Sequence, residues 1–362
     1  MDKHYQNRPF TVDTPAQRVV FGDGALARVG DELDALGLHR VLVLCTPPQR
    51  TLAQAVADAL GARSAGVHDG AVMHVPVETA RAGHARALAT GADGLVAVGG
   101  GSTVGLAKAI ALDSGLPIIA IPTTYAGSEM TPIWGLTEGG IKRTGRDVRV
   151  LPRSVIYDPV LTRELPLAMA MASGLNAIAH AAEALYAGDA NPMTDWMATE
   201  GLASIGSALP ALRRAPHDAE ARRQALYGAW LCGRVLGSVE MGLHHKLCHT
   251  LGGSFDLPHA EVHAVVLPHA LAYNAAAAPR AMARIATALR GVPADDAPQA
   301  VYQLARDAGV PASLASLGLP EAALDTACMQ ALQRRYPNPR PLEAEPLRAL
   351  LQAAWAGDAP GA

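Results

Sequence analysis

At 362 residues the chain is long enough for two domains. Thirty Lys and Arg against 33 Asp and Glu give a formal net charge of −3, which leaves no basic excess for a nucleic-acid backbone. MDKHYQNRPF lacks the apolar run of a signal peptide, and LPLAMAMASGLNAIAHAAEALYA is Ala-rich and broken by Asn, His and Glu, so it reads as buried helix rather than membrane span.

In chain order, FTVDTPAQRVVFGDGALARVGDEL is expected to add an edge strand or hairpin. RVLVLCT then reads as a strand, and TLAQAVADALG as a helix with Thr51 as N-cap and its end near Gly61. SAGVHDG is a weaker strand and VETARAGHARALATG a helix. DGLVAVGGG is a strand running into a glycine turn, STVGLAKAIALDSG a helix and LPIIAIPTT a strand. This alternation predicts a parallel sheet covered on both faces. Past SVIYDPVLTRELP the strand signals fade. Helices are expected over 165–187, 194–213, 218–251 and 259–278, then near 297–308, 320–333 and 343–355. The fold class is α/β plus all-α: an N-terminal dinucleotide-binding parallel-sheet domain, 1–159, with a C-terminal helical domain, 160–362.

The four cysteines, Cys45, Cys232, Cys248 and Cys328, form no CxxC pair, so they read as buried small hydrophobes in a reduced, cytoplasmic setting. Lysine occurs only at Lys3, Lys108, Lys142 and Lys246, the last three inside motifs. Arginine is the surface cation of this chain.

Two motifs read as a nucleotide site. In LVAVGGGSTVGLAKA a strand runs into Gly99, Gly100 and Gly101, and a helix begins near Ser102 or Thr103. Its free N–H groups and positive dipole end suit a diphosphate, although the spacing is not GxGxxG. In IIAIPTTYAGSEMT a strand ends at Pro122 and is followed by Thr123, Thr124, Tyr125, Ser128 and Thr131, hydroxyls that suit ribose, pyrophosphate or a nicotinamide amide. At the end of the first core strand, where dinucleotide folds often place an acid for the ribose 2′-hydroxyl, stands Thr46, with Arg50 close behind. No carboxylate there repels a 2′-phosphate, so NADH and NADPH are both expected.

A polar set in the second half carries the chemistry. Asn176 and His180 lie four apart, as do His245 and His249, and His259 follows in LPHAEVH. Such faces suit a catalytic metal site, except that the position wanting a carboxylate holds the neutral Asn176. His244, His263 and His269 are expected to be structural or peripheral.

GGGSTVGLAKA, PTTYAGSEMTPIWG, GRDVRVLPRSVIYDP and HHKLCHTLGGSFDLPHAEVHAVVLPH occur in an order that resembles the iron-containing alcohol dehydrogenase family, and within it the maleylacetate reductase branch. The resemblance runs from VVFGDGALARVGDEL to at least LPHALAYN and implies a dehydroquinate synthase-like architecture with the site in a cleft between the domains. In metal-dependent relatives an Asp and three His bind iron or zinc, at positions matched here by Asn176, His180, His245 and His259. A further active-site histidine near the nicotinamide matches His249. Gly105 stands where the family usually has Asp, and Tyr125 alters the threonine loop. The resemblance implies reduction by NADH or NADPH of the conjugated double bond of maleylacetate to 3-oxoadipate, a step in bacterial degradation of aromatics. The implied substrate is a small dicarboxylate, which needs cationic partners: the resemblance places Lys142 near the cofactor or active site, and Lys246 sits within the histidine cluster on its helix. No nucleic acid or membrane is involved, and a homodimer is implied.

Physical chemistry agrees. Alcohol oxidation needs a Lewis acid to hold an alkoxide, and Asn176 lacks the charge that helps retain a divalent ion. Hydride addition β to a ketone leaves an enolate that hydrogen-bond donors, protonated imidazoles among them, stabilise, and a His then supplies the proton. No metal is expected. The rival readings are a metal-dependent alcohol or aldehyde dehydrogenase of the same family, held by three His ligands, and a nucleotide sensor without turnover, which has no use for converging histidines.

Overall fold

A computed structural model of the protein describes residues 9–139, 141–289 and 296–361, with the backbone alone at 141 and 142. The chain forms two compact units, Thr14–Leu165 and Pro166–Ala362, the second joined by the described residues up to Asp13.

The first unit contains β1 (Arg18–Phe21), α1 (Val29–Leu36), β2 (Val41–Leu44), α2 (Arg50–Leu60), β3 (Ser64–His68), α3 (Val77–Ala89), β4 (Gly94–Gly99), α4 (Gly101–Ser114), β5 (Ile118–Pro122), β6 (Ile133–Glu138), β7 (Ile141–Arg146) and β8 (Ser154–Tyr157). Six strands form a parallel sheet in the order β1-β8-β5-β4-β2-β3. β2, β4, β5 and β8 are buried along their whole length, which is why they read as unbroken apolar runs. Val41, Val43, Val96, Val98, Ile119 and Ile121 share one core with Leu33 of α1 and Val56 and Leu60 of α2. The strand order reverses between β2 and β4, so the carboxyl ends of these two strands flank the crevice where open α/β sheets bind ligands.

Two local readings change. Thr51 does not cap α2: Pro47 and Pro48 open a 3-10 turn directly after Thr46, and it runs without a break into the helix at Arg50. The antiparallel hairpin β6–β7 has no clear sequence signal, because β6 is half-buried on both faces and lacks alternation. The first unit extends to Leu165, beyond Tyr157, because the Asp158 carboxylate accepts from the N–H groups of Gly24, Leu26 and Val160 and so ties the next turn to the sheet.

The second unit contains α5 (Leu167–Ala184), α6 (Pro192–Arg214), α7 (Ala219–Ser238), α8 (Leu243–Phe255), α9 (His259–Asn274), α10 (Pro279–Leu289), α11 (Ala297–Ala308), α12 (Leu324–Leu332) and α13 (Ala344–Ala356). α5 is buried from Ala170 to Ala184, and its small residues allow close helix contact. The helix expected over 218–251 is two helices. The chain leaves α7 at Val239 in an extended conformation and re-enters helix only after Gly242. α10 was hidden behind the run of alanines before Pro279. Among the described residues no helix is long and apolar enough to cross a membrane.

Candidate active site

The break between α7 and α8 builds the centre of the helical unit. On α5, Asn176, His180 and Glu183 follow one another at i, i+4 and i+7 on one face. The buried Glu183 carboxylate accepts from the backbone N–H of Gly242 at 3.1 Å, of His244 at 2.9 Å and of His245 at 3.3 Å, which caps the positive end of α8. Only glycine suits position 242: a Cβ there would lie 2.9 Å from the Pro337 carbonyl oxygen and 3.2 Å from Glu183 Oε1. The same carboxylate holds His245 Nδ1 at 2.6 Å. That contact keeps the Nδ1 proton in place and leaves Nε2 for chemistry. Glu183 was not among the expected site residues.

Six imidazoles gather around this point. Ring centroids are 5.2 Å apart for His180–His245, 6.2 Å for His245–His249, 6.2 Å for His249–His259 and 4.4 Å for His259–His263. His263 is 5.1 Å from His245 and 4.8 Å from His244. The structure therefore brings together Asn176, His180, His245, His249 and His259, and adds His244 and His263, which the sequence reading had set aside. His249 is exposed and His259 half-buried. Four buried atoms from three helices have no hydrogen-bond partner: Asn176 Oδ1, His180 Nδ1, His245 Nε2 and His263 Nε2. Native structures leave few such atoms, and a cluster of them suits a polar ligand, an ion or a catalytic role.

Burial, and then the neighbouring imidazoles, pushes the pKa of His180, His244 and His263 well below the ordinary imidazole value. Burial thus favours the neutral form of all three rings. A neutral ring still donates one hydrogen bond.

The donor set does not fit the divalent metal that the family resemblance implies. Asn176 supplies a neutral oxygen, and His180, His245 and His259 do not bring their ring nitrogens within 4.8 Å of one another as a group. The group so gathered among the described residues is His244, Cys248 and His263. There the 2.9 Å contact between His244 Nε2 and His263 Nδ1 is a hydrogen bond, and burial pushes the Cys248 thiol well up. All four cysteines are free and buried, and burial raises Cys45 to about 11.

Of the two lysines expected near substrate, Lys142 lies in β7 with its side chain outside the described residues. Lys246 is half-buried on α8, and its pKa is lowered by burial and then by the Arg334 charge.

In the first unit Thr46, Gly99, Gly100, Gly101, Ser102, Thr103, Thr123 and Thr124 lie at or just past the ends of β2, β4 and β5. Gly99 closes β4 at φ +154°, where a Cβ would collide with Thr103 Oγ1 and Gln49 Oε1. A Cβ on Gly100 would lie 2.8 Å from Thr124. Gly99 and Gly100 are thus required by interlocking loops. Thr123 N–H donates to the Gly99 carbonyl at 3.2 Å, and Gln49 Nε2 donates to Thr123 Oγ1 at 2.5 Å. Gln49 was not anticipated. Thr103 and Thr123 are buried braces, whereas Gly101 is exposed and Ser102 and Thr124 are half-buried. No acidic residue occupies the first turn of α4, and Thr103 Oγ1 and Gln49 Oε1 are buried without partners. This cradle fits a dinucleotide diphosphate.

Thr46 is half-buried at the end of β2. The expectation of no nearby carboxylate needs correction: Asp69, just past β3, pairs with Arg50 at 2.6 Å, and that pairing lowers its pKa. Asp69 belongs to the neighbouring strand, so a reading confined to the β2 loop missed it.

Lys108 on α4 is fully buried. Its Nζ donates to the carbonyls of Ser128 at 2.6 Å, Thr131 at 2.8 Å and Ile133 at 2.8 Å, and to the hydroxyls of Thr131 at 3.0 Å and Ser128 at 3.3 Å. Burial pulls its pKa down to about 7, against the opposing charge of buried Glu129. Glu129 in turn accepts from Tyr157 Oη at 2.8 Å. Ser128, expected at the cofactor, is thus held in place by a lysine.

The family described as iron-containing alcohol dehydrogenase matches residues 16–159, and its C-terminal counterpart, Fe-containing alcohol dehydrogenase family, C-terminal, matches residues 170–355. The chain is 59% identical to the maleylacetate reductase of Burkholderia cepacia, over 97% of this chain and 99% of the relative. The crystal structure of maleylacetate reductase from Agrobacterium tumefaciens is similar with a TM-score of 0.93 at 52% identity, over 98% of this chain and 100% of that one. That of maleylacetate reductase from Rhizobium sp. strain MTP-10005 gives 0.92 at 52% identity over the same shares.

Proposed function

Because the chain belongs to the iron-containing alcohol dehydrogenase family, we propose that it reduces the conjugated double bond of maleylacetate to give 3-oxoadipate, with NADH or NADPH as the reductant. The observation that carries this reading is the set of unpartnered buried polar atoms on Asn176, His180, His245 and His263, with the neutral Asn176 where a metal site wants a carboxylate. The near full-length likeness to maleylacetate reductases supplies the substrate.

A bound nicotinamide would supply hydride to the carbon β to the ketone, and the chain's task is then to stabilise the negative charge that this leaves on the ketone oxygen as an enolate. His245, its Nδ1–H held by the Glu183 carboxylate, acts in its doubly protonated form and donates from Nε2 to that oxygen. His180 assists as a neutral donor. The exposed His249 exchanges protons with solvent and returns one to the carbon α to the ketone. The N-terminus of α4, with Gly100, Gly101 and Ser102, would hold the diphosphate. The substrate is a dicarboxylate, and the working form is a homodimer in the cytoplasm.

The test is NADH oxidation with maleylacetate and with simple aldehydes, before and after exhaustive chelation. Maleylacetate turnover unchanged by chelator is expected. Activity on aldehydes that is lost on chelation and restored by iron or zinc would move the assignment to a metal-dependent alcohol dehydrogenase.

Both nicotinamides are expected to support turnover, with a preference under roughly a hundredfold, because Thr46 stands where a ribose-binding acid is common. Thr46→Asp is expected to weaken NADPH selectively by charge repulsion. Unaltered NADH/NADPH selectivity in that variant would show that this loop does not read the ribose.

A further inference from the structure

His244 and His263 have no part in the chemistry derived so far, yet their geometry is built for one. His263 sits on α9 one turn beyond His259, fully buried, with its Nδ1 at 2.9 Å from His244 Nε2. Its other nitrogen, Nε2, is buried without a partner, and the ring lies 5.1 Å from that of His245 and 6.3 Å from that of His180. His244 is fixed from behind. Its backbone N–H is bonded to Glu183, and the Cys248 sulfur lies 3.6 Å from its Nε2.

We propose that His263 is a further catalytic residue, whose Nε2–H donates to the enolate oxygen beside His245, and that His244 is the positioning residue that keeps the proton on that nitrogen. A neutral imidazole has one donor and one acceptor nitrogen. When His244 donates from Nε2, His263 accepts at Nδ1, and its own proton must stand on Nε2. The opposite tautomer turns a lone pair towards an anionic substrate, which repels it. The pair therefore commits a buried ring to the donor state without any net charge. With the Nε2–H of a doubly protonated His245, whose Nδ1–H is held by Glu183, it gives two donors from adjacent helices, an arrangement that stabilises an oxyanion. Simple core packing has no use for the unpartnered nitrogen, since an apolar side chain fills the same space without leaving a polar atom unsatisfied.

The inference rests on the maleylacetate reading, and one experiment separates the two. Wild type, His263→Ala, His263→Gln, His244→Phe and His244→Gln are compared for thermal unfolding, NADH binding by fluorescence, and kcat and KM with maleylacetate. His263→Ala is expected to lose about 10²-fold in kcat with NADH affinity unchanged. His244→Phe, which fills the space without donating, is expected to lose about tenfold in kcat. His244→Gln, whose amide can donate to Nδ1, should recover most of that loss, a rescue that a merely structural role would not produce. If His263→Ala does not fold, His263→Gln decides by the same kcat criterion. Wild-type kcat and KM in a folded His263 variant, with wild type reducing maleylacetate, would overturn the inference and leave the reading standing. Equal kcat in the two His244 variants would remove the positioning role. Failure of wild type to reduce maleylacetate would overturn the reading and the inference with it.

Discussion

His245→Ala is expected to lower kcat for maleylacetate by about 10²–10⁴ while leaving NADH affinity within about twofold. Among the described imidazoles, His245 combines a nitrogen anchored by a carboxylate with one that is buried and unpartnered. Removing the ring takes away the donor and also leaves Glu183 with one contact fewer, although its three backbone N–H bonds remain. The cap on α8 should therefore survive, and the loss should appear in turnover rather than in folding. Steady-state kinetics beside a thermal melt check this. A folded variant with kcat within a factor of about three of wild type would remove His245 from the chemistry.

Lys108→Met is expected to destabilise the protein by about 3–5 kcal/mol, the range seen when one partner of a buried charged network is deleted. Methionine matches the length of the stem but donates nothing. Three carbonyls and two hydroxyls would then lose their shared donor, and buried Glu129 its nearby positive charge. The segment from Ser128 to Ile133 would be released, so NADH affinity should fall with stability. Urea unfolding and fluorescence titration measure the two effects. A stability change under about 1 kcal/mol would mean that water can replace the ammonium in this cage.

Much of this molecule was legible from residue order. The buried strands announced themselves as apolar runs, and GGGSTVGLAKA placed a glycine turn between β4 and α4 because strand and helix periods flank it. The i, i+4 spacing of Asn176–His180 and His245–His249 identified two faces that do meet. The same spacing was present at His259–His263, and Glu183 continues the α5 face three residues past His180. Those signals were available but carried no weight alone, since a buried glutamate or histidine becomes meaningful only once its partner is known. Gln49 and Asp69 were harder. Each acts across the sheet, on Thr123 and on Arg50, and no local pattern encodes which strand ends lie side by side. The interruption at 239–242 was masked because VEMG carries no proline and only one glycine. Its cause is tertiary, the docking of the α8 end on Glu183.

The burial of all four cysteines has a further chemical meaning. The proposed substrate is a Michael acceptor: its double bond, conjugated to a ketone, adds thiolates readily. A thiolate within reach would turn each binding event into a chance of irreversible alkylation. Cys248 lies one helical turn from His244 and beside the gathered imidazoles, yet it is fully buried and its thiol is held protonated by burial and by the Glu183 charge. Cys45 lies just past the end of β2, close to the nucleotide crevice, and is likewise buried, with its pKa raised to about 11. Only the thiolate is the nucleophile. The chain can thus pass an electrophile through its interior while its own sulfur stays inert.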